Sequence, residues 1–247
     1  MSRNILRTAA LIAVPVATIA ALGVTTASSA TPSSSAASAT AAPKSPAAAP
    51  AAAAAEGCWP STPGGYVHPL AFPQPAAKDI PKQGYNVVVE IPQDSITKYE
   101  IDPSTGQFVV SRFMSMPVTY PANYGSVPQS VGGDGDPLDG LVLTREPLTP
   151  GAVINVRAIG VLHMVDDGDE DEKVISVPVD DVDPTYSEIK TIKDLPSMEQ
   201  QRIEAFFRVY KDLGSDKKVE LNGYGNATEA TKLVQSNIAT YQKKCAS

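Results

Sequence analysis

The chain of 247 residues carries 20 basic and 27 acidic side chains, which gives a net charge of −7 at pH 7. The first 55 residues contain no acidic side chain, so the negative charge is concentrated in the rest of the chain. This charge argues against nucleic acid or an anionic membrane as a partner, because both are negatively charged themselves.

The N-terminus has the pattern of a secretory signal peptide over residues 1–30. Arg3 and Arg7 precede an apolar run, and small residues lead to a cleavage site at Ala30. An uncleaved membrane anchor is the alternative, and Pro15 within the apolar run disfavours it. We therefore expect a secreted or extracytoplasmic protein that does not contact the membrane after signal cleavage.

The next segment, residues 31–56, consists mainly of Ala, Ser, Pro and Thr. It offers too little large apolar surface to fold and predicts a disordered linker. One domain then occupies residues 57–247 and begins with a cysteine-containing extension, residues 57–77.

Cys58 and Cys245 lie at the two ends of this domain. In an oxidising compartment they predict one disulfide, and two free thiols are the alternative.

The first half of the domain has the pattern of β-strands. Tyr85–Ile91 is rich in β-branched residues and ends before a proline. Residues 98–101 and 107–112 flank a turn that contains proline and glycine, and they predict a hairpin. Lys98 and Glu100 share one face of this hairpin, because side chains two residues apart on a strand point the same way.

The densest group of chemically active side chains lies at residues 132–140, Gly-Gly-Asp-Gly-Asp-Pro-Leu-Asp-Gly. The glycines and the proline predict a tight loop that directs Asp134, Asp136 and Asp139 to one spot. Carboxylates this close repel each other unless a cation neutralises them or one is protonated. Mg²⁺ is bound by carboxylate and water oxygens. The loop therefore predicts a metal site, and a solvated acidic turn is the alternative.

More strands are predicted at residues 141–143 and 153–165. A second acidic cluster, residues 166–172, follows as a hairpin tip that could also bring carboxylates to a metal. The C-terminal part predicts two helices. Ser197 is the expected N-cap of the first and Asn226 the expected start of the second. The order of these elements predicts a strand-rich middle followed by a helical end.

From about Lys78 to Tyr241 the sequence resembles the soluble inorganic pyrophosphatases of the Mg²⁺-dependent family I. Residues 134–139 match the family signature Asp-x-Asp-Pro-x-Asp. Further matches follow in order at Val89–Pro92, Lys98–Asp102, Arg112–Met114, Tyr120–Gly125 and Tyr210–Leu213. The resemblance implies an α+β, mainly β fold, namely an OB-like five-stranded β-barrel with flanking C-terminal helices.

The resemblance also implies roles for individual residues. Asp136 matches the general base that takes a proton from the attacking water. The metal ligands would be Asp134, Asp139, Asp166, Asp171 and Glu90. The phosphate-binding groups would be Lys98, Arg112, Tyr124, Lys173, Tyr210 and Lys211, with Glu100 and Tyr120 in support. Ser111 departs from the pattern, because many bacterial members carry an acid before the arginine.

The implied reaction is Mg²⁺-dependent hydrolysis of pyrophosphate to two orthophosphates, with several metal ions per site and other divalent cations as alternatives. Such metals would also let an acidic protein bind an anion, because they turn the negative electrostatic potential at the site positive. The resemblance further implies a homo-oligomer, a hexamer. Two other functions stay open: a secreted metal-dependent phosphoanhydride hydrolase of broader specificity, and a non-catalytic cation-binding domain.

Overall fold

The computed structural model describes residues 58–59, 67–214 and 218–245. The predicted signal peptide and linker lie outside these residues, and so does part of the extension. Within the described part of the chain, every helix is too short or too polar to span a bilayer.

The described residues form a mainly β fold with some helices. The strands are β1 (Tyr85–Ile91), β2 (Thr97–Ile101), β3 (Phe108–Phe113), β4 (Asn123–Ser126), β5 (Asp139–Val142), β6 (Val153–Asp166), β7 (Asp169–Glu170), β8 (Lys173–Pro178) and β9 (Val219–Asn226). The helices are α1 (Ile80–Gln83), α2 (Ser197–Val209) and α3 (Ala227–Cys245). Short 3₁₀ turns lie at Pro69–Ala71, Ala77–Asp79, Pro184–Tyr186 and Ile192–Asp194.

Hydrogen bonds join seven of these strands into one sheet whose pairings return to their starting point. The order is β1-β4-β5-β8-β6, and β6 also pairs with β1. The pairing of β5 with β8 is parallel, and the other pairings are antiparallel. β7 and β9 both pair with β6. β2 and β3 form a separate two-stranded hairpin.

The two long helices cover opposite faces of this sheet. Phe206 and Phe207 of α2 pack in a buried cluster with Leu162 of β6. Val234 of α3 packs in a second cluster with Val161, the preceding residue of β6. Neighbouring residues of a strand point to opposite faces, so the two clusters lie on the two sides of β6.

The first residues of α2 and α3 test the two predictions of helix caps. The prediction that Ser197 caps α2 is wrong, because Ser197 is the first helical residue and Pro196 holds the cap position. Pro196 has the non-helical ψ of a cap residue, 136°, and its carbonyl accepts the backbone N–H groups of Glu199 at 2.9 Å and Gln200 at 3.3 Å. The prediction for Asn226 is confirmed, since its Oδ1 accepts a hydrogen bond of 3.0 Å from the backbone N–H of Glu229.

The predicted disulfide between Cys58 and Cys245 is present. The two Cα atoms lie 5.6 Å apart, across a sequence separation of 187 residues. In the chain-entropy model, closing a loop of this length stabilises the folded state by about 5 kcal/mol. The bond ties the start of the domain to the end of α3.

Candidate active site

Every residue predicted for catalysis, metal binding, phosphate binding or support lines a single pocket of about 720 Å³. The residues come from β1, the β2–β3 hairpin, β4, the acidic loop, the ends of β5, β6 and β8, and the C-terminal end of α2. Residues far apart in the sequence therefore converge on one place.

The acidic loop is as tight as its glycines and proline predict. The N–H of Gly132 donates to the carbonyl of Asp136 at 2.6 Å, and the N–H of Gly135 donates to the carbonyl of Gly132 at 3.2 Å. Asp134 Oδ1 accepts the N–H of Asp136 at 3.0 Å. Gly135 has a φ of +92°, which few other residues adopt. Asp139 follows as the first residue of β5, so the sheet fixes its position.

The base candidate, Asp136, is exposed and lines the pocket. Nearby protein atoms displace part of its water and raise the pKa of its carboxyl, and the negative charges of Asp134, Asp139 and Asp171 raise this pKa further. A raised pKa makes Asp136 a stronger proton acceptor once it is ionised.

Lys173 is the most deeply buried cation of the pocket, with only 2% of its side chain exposed. Its ammonium forms ion pairs with both Asp139 and Asp171. Burial by itself would lower the pKa of Lys173, but the two carboxylates outweigh it and raise that pKa. The resemblance predicts a phosphate-binding role for Lys173, whereas the partners that the structure gives it are carboxylates.

A second ion pair of the pocket joins Lys211 and Asp166. Nζ of Lys211 also lies 5.1 Å from the ring centre of Tyr210. Oδ1 of Asp166 is buried and has no hydrogen-bond partner among the described residues. A buried carboxylate oxygen without a partner is costly, so this atom is suited to accept a cation or a donor from a ligand.

The β2–β3 hairpin brings cations to the pocket. Lys98 and Arg112 are cross-strand partners, and Nζ of Lys98 donates to Glu100 at 2.6 Å. Partial burial would raise the pKa of Glu100, but Lys98, Ser111 and Arg112 together lower it. Ser111, the departure from the family pattern, therefore supplies a hydroxyl that supports Glu100.

Glu90 is the buried carboxylate of the site, with 7% of its surface exposed. It accepts a hydrogen bond of 2.5 Å from Oγ of Ser126. Burial raises the pKa of Glu90 to about 8, although this hydrogen bond acts in the opposite direction. Burial likewise raises the pKa of Tyr120 and Tyr124 above the ordinary value for a phenol, so both keep their hydroxyl protons as donors.

The predicted metal ligands share the pocket but do not form a ready-made cage. Among residues 58–59, 67–214 and 218–245, no three His, Cys, Asp or Glu side chains are grouped closely enough to hold a metal ion. The ammonium of Lys173 lies between two of the expected ligands, Asp139 and Asp171. The pocket nevertheless has seven carboxylates against four Lys or Arg side chains, so its composition favours added cations.

Some pocket residues were not found from the sequence. Trp59 and Leu70, both in the N-terminal extension, line the pocket, and so does Ser126. In the second acidic cluster, Oε1 of Glu172 lies 3.5 Å from Nδ1 of His163. Only one signal pointed to Trp59, namely a tryptophan next to a cysteine that was predicted to be bonded.

A pocket that combines crowded carboxylates with lysine, arginine and tyrosine groups offers what metal-assisted hydrolysis of a phosphate compound requires. Residues 87–242 match the family model described as inorganic pyrophosphatase. The chain therefore belongs to the inorganic pyrophosphatase family, and it is a hydrolase.

Relatives and solved structures agree with this assignment. The chain is 46% identical over 169 residues to inorganic pyrophosphatase 1 of Pseudomonas syringae pv. tomato, covering 68% of this chain and 96% of the relative. It is 48% identical over 153 residues to the inorganic pyrophosphatase of Sulfolobus acidocaldarius, covering 62% and 88%. The solved Helicobacter pylori inorganic pyrophosphatase is similar with a TM-score of 0.63 and 42% identity, covering 65% of this chain and 94% of that chain.

Proposed function

We propose that this chain hydrolyses inorganic pyrophosphate to two orthophosphates with the help of Mg²⁺, outside the cytoplasm. One observation carries the proposal: all residues predicted from the family resemblance line the same pocket. Membership of the inorganic pyrophosphatase family supports the choice of substrate.

The side chains of the pocket fit divalent cations. Carboxylates outnumber cationic side chains, and Oδ1 of Asp166 is buried without a partner among the described residues. In the proposal, Asp134, Asp139 and Asp171 hold the first ion, and Asp166 and Glu90 serve further ions. When bound, Mg²⁺ lowers the pKa of water and offsets the charge of the phosphates.

The chain's own groups supply base catalysis and substrate binding. Asp136 accepts the proton of the attacking water, and its raised pKa suits that role. Lys98 and Arg112 stand side by side on paired strands, so they offer two positive charges to one phosphate. Lys211 and Tyr210 also line the pocket and can bind the other phosphate. Holding both phosphates also orients the phosphorus atom for attack.

The proposal extends to the fold and the location of the protein. The closed circuit of five strand pairings supports an OB-like barrel with the pocket at its mouth. The family resemblance supports a homo-oligomer, a hexamer, which sedimentation would test.

The signal-like residues 1–30 and the linker 31–56 support export. Fractionation of the native host tests this point, because activity confined to the cytosol would contradict export.

The central experiment measures phosphate release from pyrophosphate, with and without Mg²⁺, for the parent chain and for Asp136→Asn. We expect the variant to lose about 10²- to 10⁴-fold in kcat, the usual contribution of a general base. Asp169→Asn is the matched control, because Asp169 is an exposed acid outside the pocket lining. Substantial Mg²⁺-dependent turnover by Asp136→Asn would remove Asp136 as the base.

The same assay separates the two other functions. Comparable rates on nucleotides or phosphate monoesters would favour a broader phosphoanhydride hydrolase. No phosphate release with any divalent cation would favour a cation-binding domain without catalysis.

A further inference from the structure

An N-terminal strap, made of Cys58 and Trp59 together with residues 67–71, lies beside the candidate active site. Its first part is fastened to α3. Cys58 is bonded to Cys245, and the backbone N–H of Trp59 donates to Oη of Tyr241 at 3.2 Å. The rings of Trp59 and Tyr241 are stacked, with centroids 6.0 Å apart. This strap precedes the region that the pyrophosphatase family model matches.

The strap also contacts the tip of the β2–β3 hairpin. The ring of Trp59 stacks on His68 at 5.6 Å, and Nε2 of His68 lies 3.3 Å from the carbonyl oxygen of Asp102 in the hairpin turn. Gly106 of the same turn has a φ of +68°, and a Cβ there would lie 2.8 Å from Cδ2 of His68. The turn therefore approaches the strap more closely than any other residue would permit at that position.

Apolar packing strengthens this contact. Leu70 of the strap, Ile101 of β2 and Val88 of β1 form a buried cluster. Trp59 and Phe108 of β3 pack against this cluster. The strap thus shares one apolar cluster with both strands of the hairpin.

The other end of the strap holds the segment that leads into the acidic loop. The backbone N–H of Gln129 donates to the carbonyl of Leu70 at 3.0 Å, and Nε2 of Gln129 donates to the carbonyl of Ala71 at 3.1 Å. Gln129 precedes Gly132 by three residues. The strap therefore links the hairpin, which carries cations, to the loop, which carries carboxylates.

The hairpin needs such a support. Within the described residues, β2 and β3 pair only with each other, so no ladder of hydrogen bonds joins them to the large sheet. Hydrogen bonds such as that from the N–H of Tyr120 to the carbonyl of Ser95 hold the base of the hairpin, and contacts with the strap hold its tip. We propose that the strap positions the β2–β3 hairpin over the carboxylates, and that the Cys58–Cys245 disulfide holds the strap in place. This role rests on the proposed pyrophosphate hydrolysis. Because the disulfide holds the strap, the activity would depend on redox conditions.

The first test compares Cys58→Ser/Cys245→Ser and Trp59→Ala with the parent chain in steady-state kinetics, at a temperature where circular dichroism shows each protein folded. We expect KM for pyrophosphate to rise about tenfold with kcat within about twofold. Displaced side chains of the hairpin would bind the phosphates less tightly, and small displacements have large effects on such binding. Val234→Ala is the matched control. It removes buried apolar volume from a cluster that contains no residue of the strap or the hairpin.

The second test uses Trp59 as a probe, since it is the only tryptophan of the chain. A dithiol cleaves the Cys58–Cys245 bond by thiol–disulfide exchange: the dithiol becomes a cyclic disulfide and the two cysteines become thiols. We expect reduction to shift the emission of Trp59 and to raise KM as in the double variant. Reoxidation should reverse both changes, and the double variant should not respond to the dithiol.

Two results would overturn the positioning role. One is an unchanged KM in Cys58→Ser/Cys245→Ser and in Trp59→Ala. The other is an equal rise of KM in Val234→Ala, which would show a general loss of stability. These results differ from a failure of the proposed function: if the oxidised parent chain released no phosphate from pyrophosphate, both proposals would fall.

Discussion

Lys173 offers the sharpest test of how positive and negative charges are balanced in the pocket. Its buried ammonium is shared by Asp139 and Asp171, whose side chains are 20% and 17% exposed. In Lys173→Met the side chain keeps a similar volume but loses its charge. Two largely buried carboxylates then face each other without a cation between them.

The expected cost follows from this burial. Removing one partner of a fully buried ion pair destabilises a protein by about 3–5 kcal/mol. Because both carboxylates are partly exposed, water can solvate some of their charge. We therefore expect Lys173→Met to lower the free energy of unfolding by about 3 kcal/mol. With a urea m-value of about 2 kcal/mol/M, the unfolding midpoint falls by about 1.5 M.

Urea unfolding in the presence of a chelator measures this loss, and a repeat with Mg²⁺ tests the proposed metal site. Mg²⁺ should stabilise Lys173→Met more than the parent chain, because the ion can replace the lost charge between the carboxylates. Arg145→Met is the control. It breaks an ion pair with Asp183 in which Arg145 is 68% exposed, so solvent screens the pair and the unfolding midpoint should hardly change. Equal midpoints for Lys173→Met and Arg145→Met would refute the reasoning.

Three further predictions concern metal, pH and the core. Exhaustive chelation should abolish phosphate release and added Mg²⁺ should restore it; activity that survives chelation would contradict the metal site. Burial lowers the pKa of His68 below its ordinary 6.5, so the unfolded chain takes up a proton that the folded chain resists. Unfolding free energy should therefore fall as the pH drops below about 6.5, and by less in His68→Gln; identical pH profiles from urea titrations would disprove this. Tyr85→Phe should cost about 1–3 kcal/mol in urea unfolding, because it removes the buried 2.5 Å hydrogen bond to Ser176. Ser176→Ala in the same chain should recover part of that loss.

The sequence predicts much of the strand pattern, because local alternation is enough to show it. Tyr85–Ile91 is a strand in the structure, as expected, and 153–165 corresponds to β6. β9 escaped prediction because Gly223 and Gly225 weaken its strand pattern. Its place depends on pairing with β6, which is distant in sequence.

The candidate site shows the same limit. Asp134, Asp136 and Asp139 could be found because they crowd one loop, and the remaining residues could be found through the family resemblance. The partners of each charge could not be found in this way. That Lys173 contacts Asp139 in addition to its sequence neighbour Asp171 depends on the pairing of β5 with β8. The contribution of Trp59 depends on a contact with a residue 182 positions away.

The disulfide has a consequence for how the protein reaches its native state. The chain has two cysteines in all, so an intramolecular bond can form in only one way. Scrambled isomers, which compete during the oxidative maturation of proteins with four or more cysteines, are excluded here. The bond joins residues 187 positions apart, so it can form only after Cys245 has been synthesised, and its formation requires an oxidant but no isomerase.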